Sequence, residues 1–132
     1  MRGLLSAIVL SLLVTEPTLA AESWVEVSTS ARERILVDQN SIQRDQSDQN
    51  EVRYWEYRDV RPVQAVTGEL PYGMMIYRSV NCASQQGRVQ RLVLFNQNRD
   101  VIRRVNYGEK GNSLQPITGS STEATVRYVC GQ

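Results

Sequence analysis

Only two cysteines occur in this chain, Cys82 and Cys130, and they restrict its fold more than any other feature. A bridge between them closes a loop of about 50 residues and ties the middle of the chain to its C-terminal end, which the chain-entropy account values at roughly 4 kcal/mol. Two buried free thiols are the alternative reading. Metal ligation is disfavoured, because the chain has no histidine and the two cysteines lack the short C-x-x-C spacing of a zinc site.

The first residues point to an oxidising compartment, where an even cysteine count usually means a bridge. Arg2 supplies a positive start, and Leu4 to Val14 is an uncharged apolar run. Thr15 to Pro17 interrupt it, and Thr18-Leu19-Ala20 ends on a small residue suited to signal peptidase. The run is well short of the roughly 20 residues that span a bilayer. Residues 1–20 are therefore expected to be a signal peptide cleaved after Ala20 or Ala21, with an uncleaved anchor or a buried core helix as the other readings. No later segment is long and apolar enough to span, and no cysteine near the cleavage site suggests lipidation. The expected residence is the periplasm or the cell surface of a bacterium. Residues 21–132 form one domain, since roughly 110 residues match the usual domain size.

The periodicity of that domain favours strands. Trp24 to Val27, Arg34 to Asp38, Glu51 to Val60, Met74 to Cys82, Arg88 to Asn96 and Val101 to Tyr107 each read as one, separated by polar or glycine- and proline-bearing segments. Asp38 to Ile42 reads as a turn or short helical turn, with the Asp38 and Ser41 side chains able to accept from nearby N–H groups. Residues 44–50 are wholly polar and are expected to form an exposed hairpin loop. On period two, Met74, Ile76, Val80 and Cys82 share a face on which Arg78 is the intruder. Residues 61–71 are expected to be a proline-bounded loop, and Gly108 to Gly119 a flexible stretch.

The end of the chain changes character. Ser120 to Glu123 has the Ser-x-x-Glu form of a capping box. Val126, Val129 and Cys130 then fall on one helical face, and Gly131 can stop the helix. A helix of about ten residues is marginal alone, so it must dock on the sheet. The expected class is α+β: an antiparallel sheet, a short C-terminal helix packed on it and one disulfide.

Taken in order, five segments resemble a known family: Trp24 to Val27, Ile35 to Ile42, Val52 to Tyr57 around Trp55, Val80-Asn81-Cys82, and Arg127 to Cys130. They are similar to the Trp opening, the Val-Asp-x-x-Ser-Ile turn, the Trp-bearing strand, the Asp-Cys strand end and the Tyr-Val-Cys terminus of the bacterial surface-adhesin protein E-like domain. This chain has Asn81 where the family commonly has Asp. The resemblance implies a single antiparallel sheet of about six strands packed on a helix, with Cys82 bridged to Cys130. It also implies structural roles for Trp24, Asp38 and Trp55. The family's founding member is a surface protein that binds host matrix and plasma proteins and haem. No short motif carries that binding, so the resemblance assigns no ligand residue. No cofactor is expected here; for haem, Tyr, Met or Cys would have to replace the histidine that commonly ligates iron.

The residues argue against several other functions. Without histidine, neither a Ser-His-Asp nor a Cys-His arrangement exists, and the commonest general base is missing. Carboxylate pairs such as Glu51 with Glu56, or Asp59 with Glu69, have nothing in their spacing to mark them as catalytic, and no enzyme is expected. Fifteen basic and fourteen acidic residues leave no overall field directed at nucleic acid. The basic side chains are all arginine except Lys110. Arg53, Tyr54, Arg58, Arg91 and Arg103, with Arg61, Arg88 and Arg104 nearby, are expected to align on an outer sheet face as an Arg/Tyr protein-binding patch, because these side chains dominate protein interfaces. A solvated polar face is the plain alternative. The function expected is that of an exported, non-catalytic, adhesin-like module that binds another protein. A periplasmic structural or assembly accessory, with self-pairing into a homodimer left open, is the alternative.

Overall fold

A computed structural model describes residues 22–60, 72–116 and 118–132. The expected signal peptide, the loop over 61–71 and Arg61 lie outside the described residues. Six strands run antiparallel in the order β1-β2-β4-β5-β6-β7. They are β1 (Trp24–Thr29), β2 (Glu33–Asp38), β4 (Glu51–Val60), β5 (Gly73–Asn81), β6 (Gly87–Phe95) and β7 (Val101–Asn106). Two short strands complete the sheet: β3 (Gln43–Arg44) pairs with β4, and β8 (Ser113–Leu114) with β6. One helix, α1 (Ser121–Cys130), follows.

Each expected strand is present within a residue or two of its predicted ends. The turn after β2 is a 3-10 turn, Gln39–Ser41, capped by the Asp38 side chain. Asp38 also accepts from the Ser23 N–H at 2.9 Å, so one buried carboxylate closes the turn and holds the start of β1. Ser41 Oγ donates to the Asp38 carbonyl at 2.7 Å and accepts from the Trp55 N–H at 2.8 Å, joining the same turn to β4.

The stretch from Gly108 is more ordered than its glycines suggest. It forms a 3-10 turn, Gly108–Lys110, and then β8. Gly108 takes a φ of 59°, which side-chain-bearing residues rarely adopt. At Gly111 a Cβ would collide with the Val89 carbonyl. Both glycines permit a close return of the chain onto β6.

Strand alternation divides the sheet into two faces. One carries Ile35, Val37, Val52, Tyr54, Ile76 and Val80, all buried. Helix α1 lies over the β1, β2 and β4 part of this face and inserts Val126 and Val129, which join Val37, Val52, Tyr54 and Val80 in one core. Ser120 caps the helix by accepting from the Glu123 N–H. Glu123 pairs forward with Arg127 at 2.7 Å, whereas a full capping box would turn it back to Ser120.

Both ends of α1 are fastened to the sheet. At the C-terminal end, Cys130 is bridged to Cys82 with a Cα separation of 5.7 Å, and Arg44 donates to the Cys130 and Gln132 carbonyls at 3.0 and 3.1 Å. At the N-terminal end, Ser121 Oγ donates to Glu33, and Arg58 donates to Thr122 Oγ1. Arg58 belongs to an ionic cluster beneath the helix. Glu56 is fully buried, and its Oε2 accepts from Arg58 Nε at 2.8 Å and from Arg78 Nε at 3.1 Å. Glu33 lies 3.6 Å from Arg58. The intruding Arg78 is thus one arm of a charge-balanced centre in an otherwise apolar face.

Tyr54 lies beside this cluster. Burial, reinforced by the charge of Glu56 and opposed by Arg78 and Arg58, pushes its phenol well above the ordinary value of 10.0. Because the folded value exceeds the unfolded one, this contribution to stability is complete below the unfolded value and is lost as pH rises beyond it. The urea midpoint should fall between about pH 9 and 11, and Tyr54→Phe should flatten that fall. An unchanged alkaline slope in Tyr54→Phe would rule the residue out as its source.

Candidate functional site

The structure divides the residues of the expected Arg/Tyr patch between the two faces of the sheet. Arg53 and Arg91 lie on the face opposite α1, where Arg53 is opposite Ser79 and Arg91 opposite Tyr77. Tyr54, Arg58 and Arg103 lie on the helix side. Tyr54 is 1% exposed and part of the core, and Arg58 is held in the Glu56 cluster. Arg103 is opposite Leu94, in the same cross-strand row as Met74 and Arg58. The physical reason is the period of two: adjacent residues such as Arg53 and Tyr54 point to opposite sides of a strand. Glu51 and Glu56, five apart, are separated likewise and form no carboxylate pair.

The face opposite α1 instead carries an aromatic array. Trp55 and Tyr77 are cross-strand partners with ring centroids 5.0 Å apart, and the Arg91 guanidinium lies 5.7 Å from the Tyr77 centroid. This is a continuous Trp-Tyr-Arg stack across β4, β5 and β6, of the kind in which a cation sits on a ring face. Trp24 meets Tyr57 edge-on at 6.2 Å. A second row crosses all six strands in the order Glu26, Leu36, Tyr57, Met75, Val93 and Arg104. Trp24, Leu36, Tyr57, Met75 and Phe95 line a depression of about 350 Å³ rimmed by Glu22, Arg34 and Arg99. The rings are half-buried, and α1 packs on the other side of the sheet. Trp55, Tyr57 and Tyr77 are the members of this array that reading the sequence for arginine passes over. Their signal was present in the alternation Arg53-Trp55-Tyr57-Asp59.

Charge is unevenly distributed around this face. Residues 22–60 carry nine carboxylates against five arginines, whereas residues 87–110 carry six cationic side chains against two carboxylates. On the first half Arg34 is engaged with Glu26 and Arg53 with Asp45. Asp45 is held below the usual carboxylate range, first by the Ser47 hydroxyl and N–H and also by Arg53. On the second half Arg91 rests on Tyr77 and Arg88 donates to the Glu109 carbonyl. Among the described residues, Arg103 and Arg104 have no carboxylate partner. No group of three or more metal-ligating side chains occurs among the described residues, and no helix there is long and apolar enough to cross a membrane.

The fold is a single antiparallel sheet with one face under a disulfide-tethered terminal helix and the other bearing half-buried aromatics. The chain belongs to the surface-adhesin protein E family, whose sequence profile matches residues 24–131. A comparison with curated proteins gives no match. Among solved structures, crystal form II of Haemophilus influenzae protein E superposes with a TM-score of 0.59 at 13% identity, covering 82% of this chain and 87% of that one. Protein E from non-typeable Haemophilus influenzae gives 0.57 at 14% identity, covering 87% and 80%. At these identities the superpositions establish the shared fold. The family and the α+β architecture expected from the sequence, with its bridge, are both borne out.

Proposed function

We propose that this protein is an exported, non-catalytic module of the bacterial cell envelope that binds another protein through the sheet face opposite α1. The observation that supports this reading is the Trp55-Tyr77-Arg91 stack. Trp, Tyr and Arg are the side chains most enriched at interface hot spots, and a rigid sheet presents them at little entropic cost. The helix side offers no comparable surface over β1, β2 and β4, because α1 occupies it. Membership of an adhesin family supports surface residence and a host protein as partner.

The test is binding of the purified protein to immobilised extracellular-matrix and plasma proteins, followed by interferometry. Arg91→Glu with Tyr77→Ser should weaken binding about tenfold or more, the effect of losing a hot-spot pair. Arg103→Ala, on the opposite side, should leave it unchanged. Binding that survives the double substitution in a protein with an unaltered melting curve would refute the assignment of this face. Arg58 is unsuitable as a probe of binding, since its loss disturbs the core.

A further inference from the structure

A second site lies on the helix side of the sheet, beyond the reach of α1. Between β5, β6, residues 112–116 and the first turn of α1 is a cavity of about 260 Å³. Tyr54, Val80, Val89, Leu114, Pro116 and Val126 form its apolar walls. Arg78 supplies the charge, and Ser120 and Thr122 bring the positive end of the α1 dipole to the same space.

Arg78 is committed at one atom only. Its Nε bonds Glu56 Oε2, and neither Nη group has a partner among the described residues. Glu56 is buried and is shared with Arg58, which Glu33 also neutralises. Arg78 is therefore the member of the cluster with donors to spare. The bond to Glu56 fixes the guanidinium plane in advance. A fixed guanidinium with a free terminal fork matches a carboxylate by two parallel hydrogen bonds.

We infer that this cavity binds a small apolar monocarboxylate, with its acid group on the Arg78 fork and its hydrocarbon body between Val89, Leu114 and Val126. The size agrees. An engineered cavity of about 150 Å³ takes benzene, and pockets for drug-sized ligands begin near 300 Å³, so the space suits one ring with a short acid arm. Because Glu33 and Glu56 already balance Arg58 and Arg78, Arg78 offers free donors without excess positive charge, which disfavours the two charges of a phosphate more than the one of a carboxylate.

The test is titration of the purified protein with 3-phenylpropionate, 3-phenylpropanamide and inorganic phosphate, followed by amide ¹H–¹⁵N shifts. Saturable shifts centred on Val80, Val89, Thr122 and Val126 are expected with the acid, with affinity falling about tenfold or more for the amide, as for loss of a charge-assisted pair. Arg78→Gln should weaken the acid equally. Val89→Trp, which fills the cavity without removing any member of the Glu56 cluster, should abolish the shifts. Equal response to acid and amide, an equal response to phosphate, shifts elsewhere on the surface, or binding undiminished by Val89→Trp would each overturn the inference. None of these outcomes depends on the aromatic face.

Discussion

Cys130→Ser should lower the melting temperature by on the order of 15 °C, the effect of removing about 4 kcal/mol from a domain of this size. The bridge spans 48 residues, and Cys82 directly follows β5, a central strand of the sheet, so the constraint reaches across most of the molecule. The loss should not be uniform. Arg58, Thr122 and the Ser121–Glu33 bond still hold the first turn of α1, while the last turn retains the packing of Val129 and the Arg44 contacts to the Cys130 and Gln132 carbonyls. Hydrogen exchange should therefore accelerate most at Tyr128 and Val129 and less at the sheet amides of Val52 and Val80. A melting temperature within two or three degrees of the parent would show that docking of Val126 and Val129 suffices without the bridge.

Glu56→Ala should be as damaging, at about 3–5 kcal/mol, because it strands the largely buried Arg78 guanidinium and leaves Arg58 only Glu33, at 3.6 Å, as a counter-charge. The Arg58 and Arg78 side chains are 14% and 17% exposed, too little for water to replace the lost charge. Removing the whole centre should cost far less. The triple change Glu56→Leu, Arg58→Met, Arg78→Met replaces charge by volume and is expected to recover most of the lost stability, as buried ionic centres often do when converted to apolar packing. Chemical denaturation of the single and triple variants decides the matter. If the triple variant is no more stable than Glu56→Ala, hydrogen bonds from the cluster to α1, and not charge balance, are what the fold requires.

These two centres differ in how legible they were. The bridge could be anticipated because cysteine is rare here and its pairing follows from compartment and count. The strands were legible for a related reason: β4 is a run of β-branched and aromatic residues that stops before Pro62, and β5 shows a period of two with a single charged exception. That exception was the visible trace of the ionic centre. Arg78 occupies an apolar face of β5, and Glu56 and Arg58 lie on the same side of β4, opposite Ile76 and Met74. Seeing that they meet requires the register between strands, which no single strand encodes. Which arginines and tyrosines share a face is hard to read from the sequence for the opposite reason. Arg53 with Tyr54 and Arg103 with Arg104 are sequence neighbours, and in an extended chain neighbours diverge. Grouping by composition joined side chains that alternation separates, and passed over Trp55, Tyr57 and Tyr77. The glycines after Tyr107 suggested looseness because the sequence shows only the missing side chain, not the Val89 carbonyl that needs its space.

The uneven placement of charge gives the molecule an orientation that its formal net charge of +1 conceals. With carboxylates in excess on β1 to β4 and arginines in excess on the β6–β7 hairpin, it is an electrical lever. In the field of an anionic surface it should turn hairpin-first before contact. The Trp-Tyr-Arg stack ends on that hairpin, at Arg91, so the rotation brings the aromatic face down from its cationic side. At physiological ionic strength such a torque acts only within a Debye length of about 8 Å, making it a matter of the last step of approach. Dilute buffer should lengthen that step and quicken capture, while leaving the lifetime of the finished complex nearly untouched.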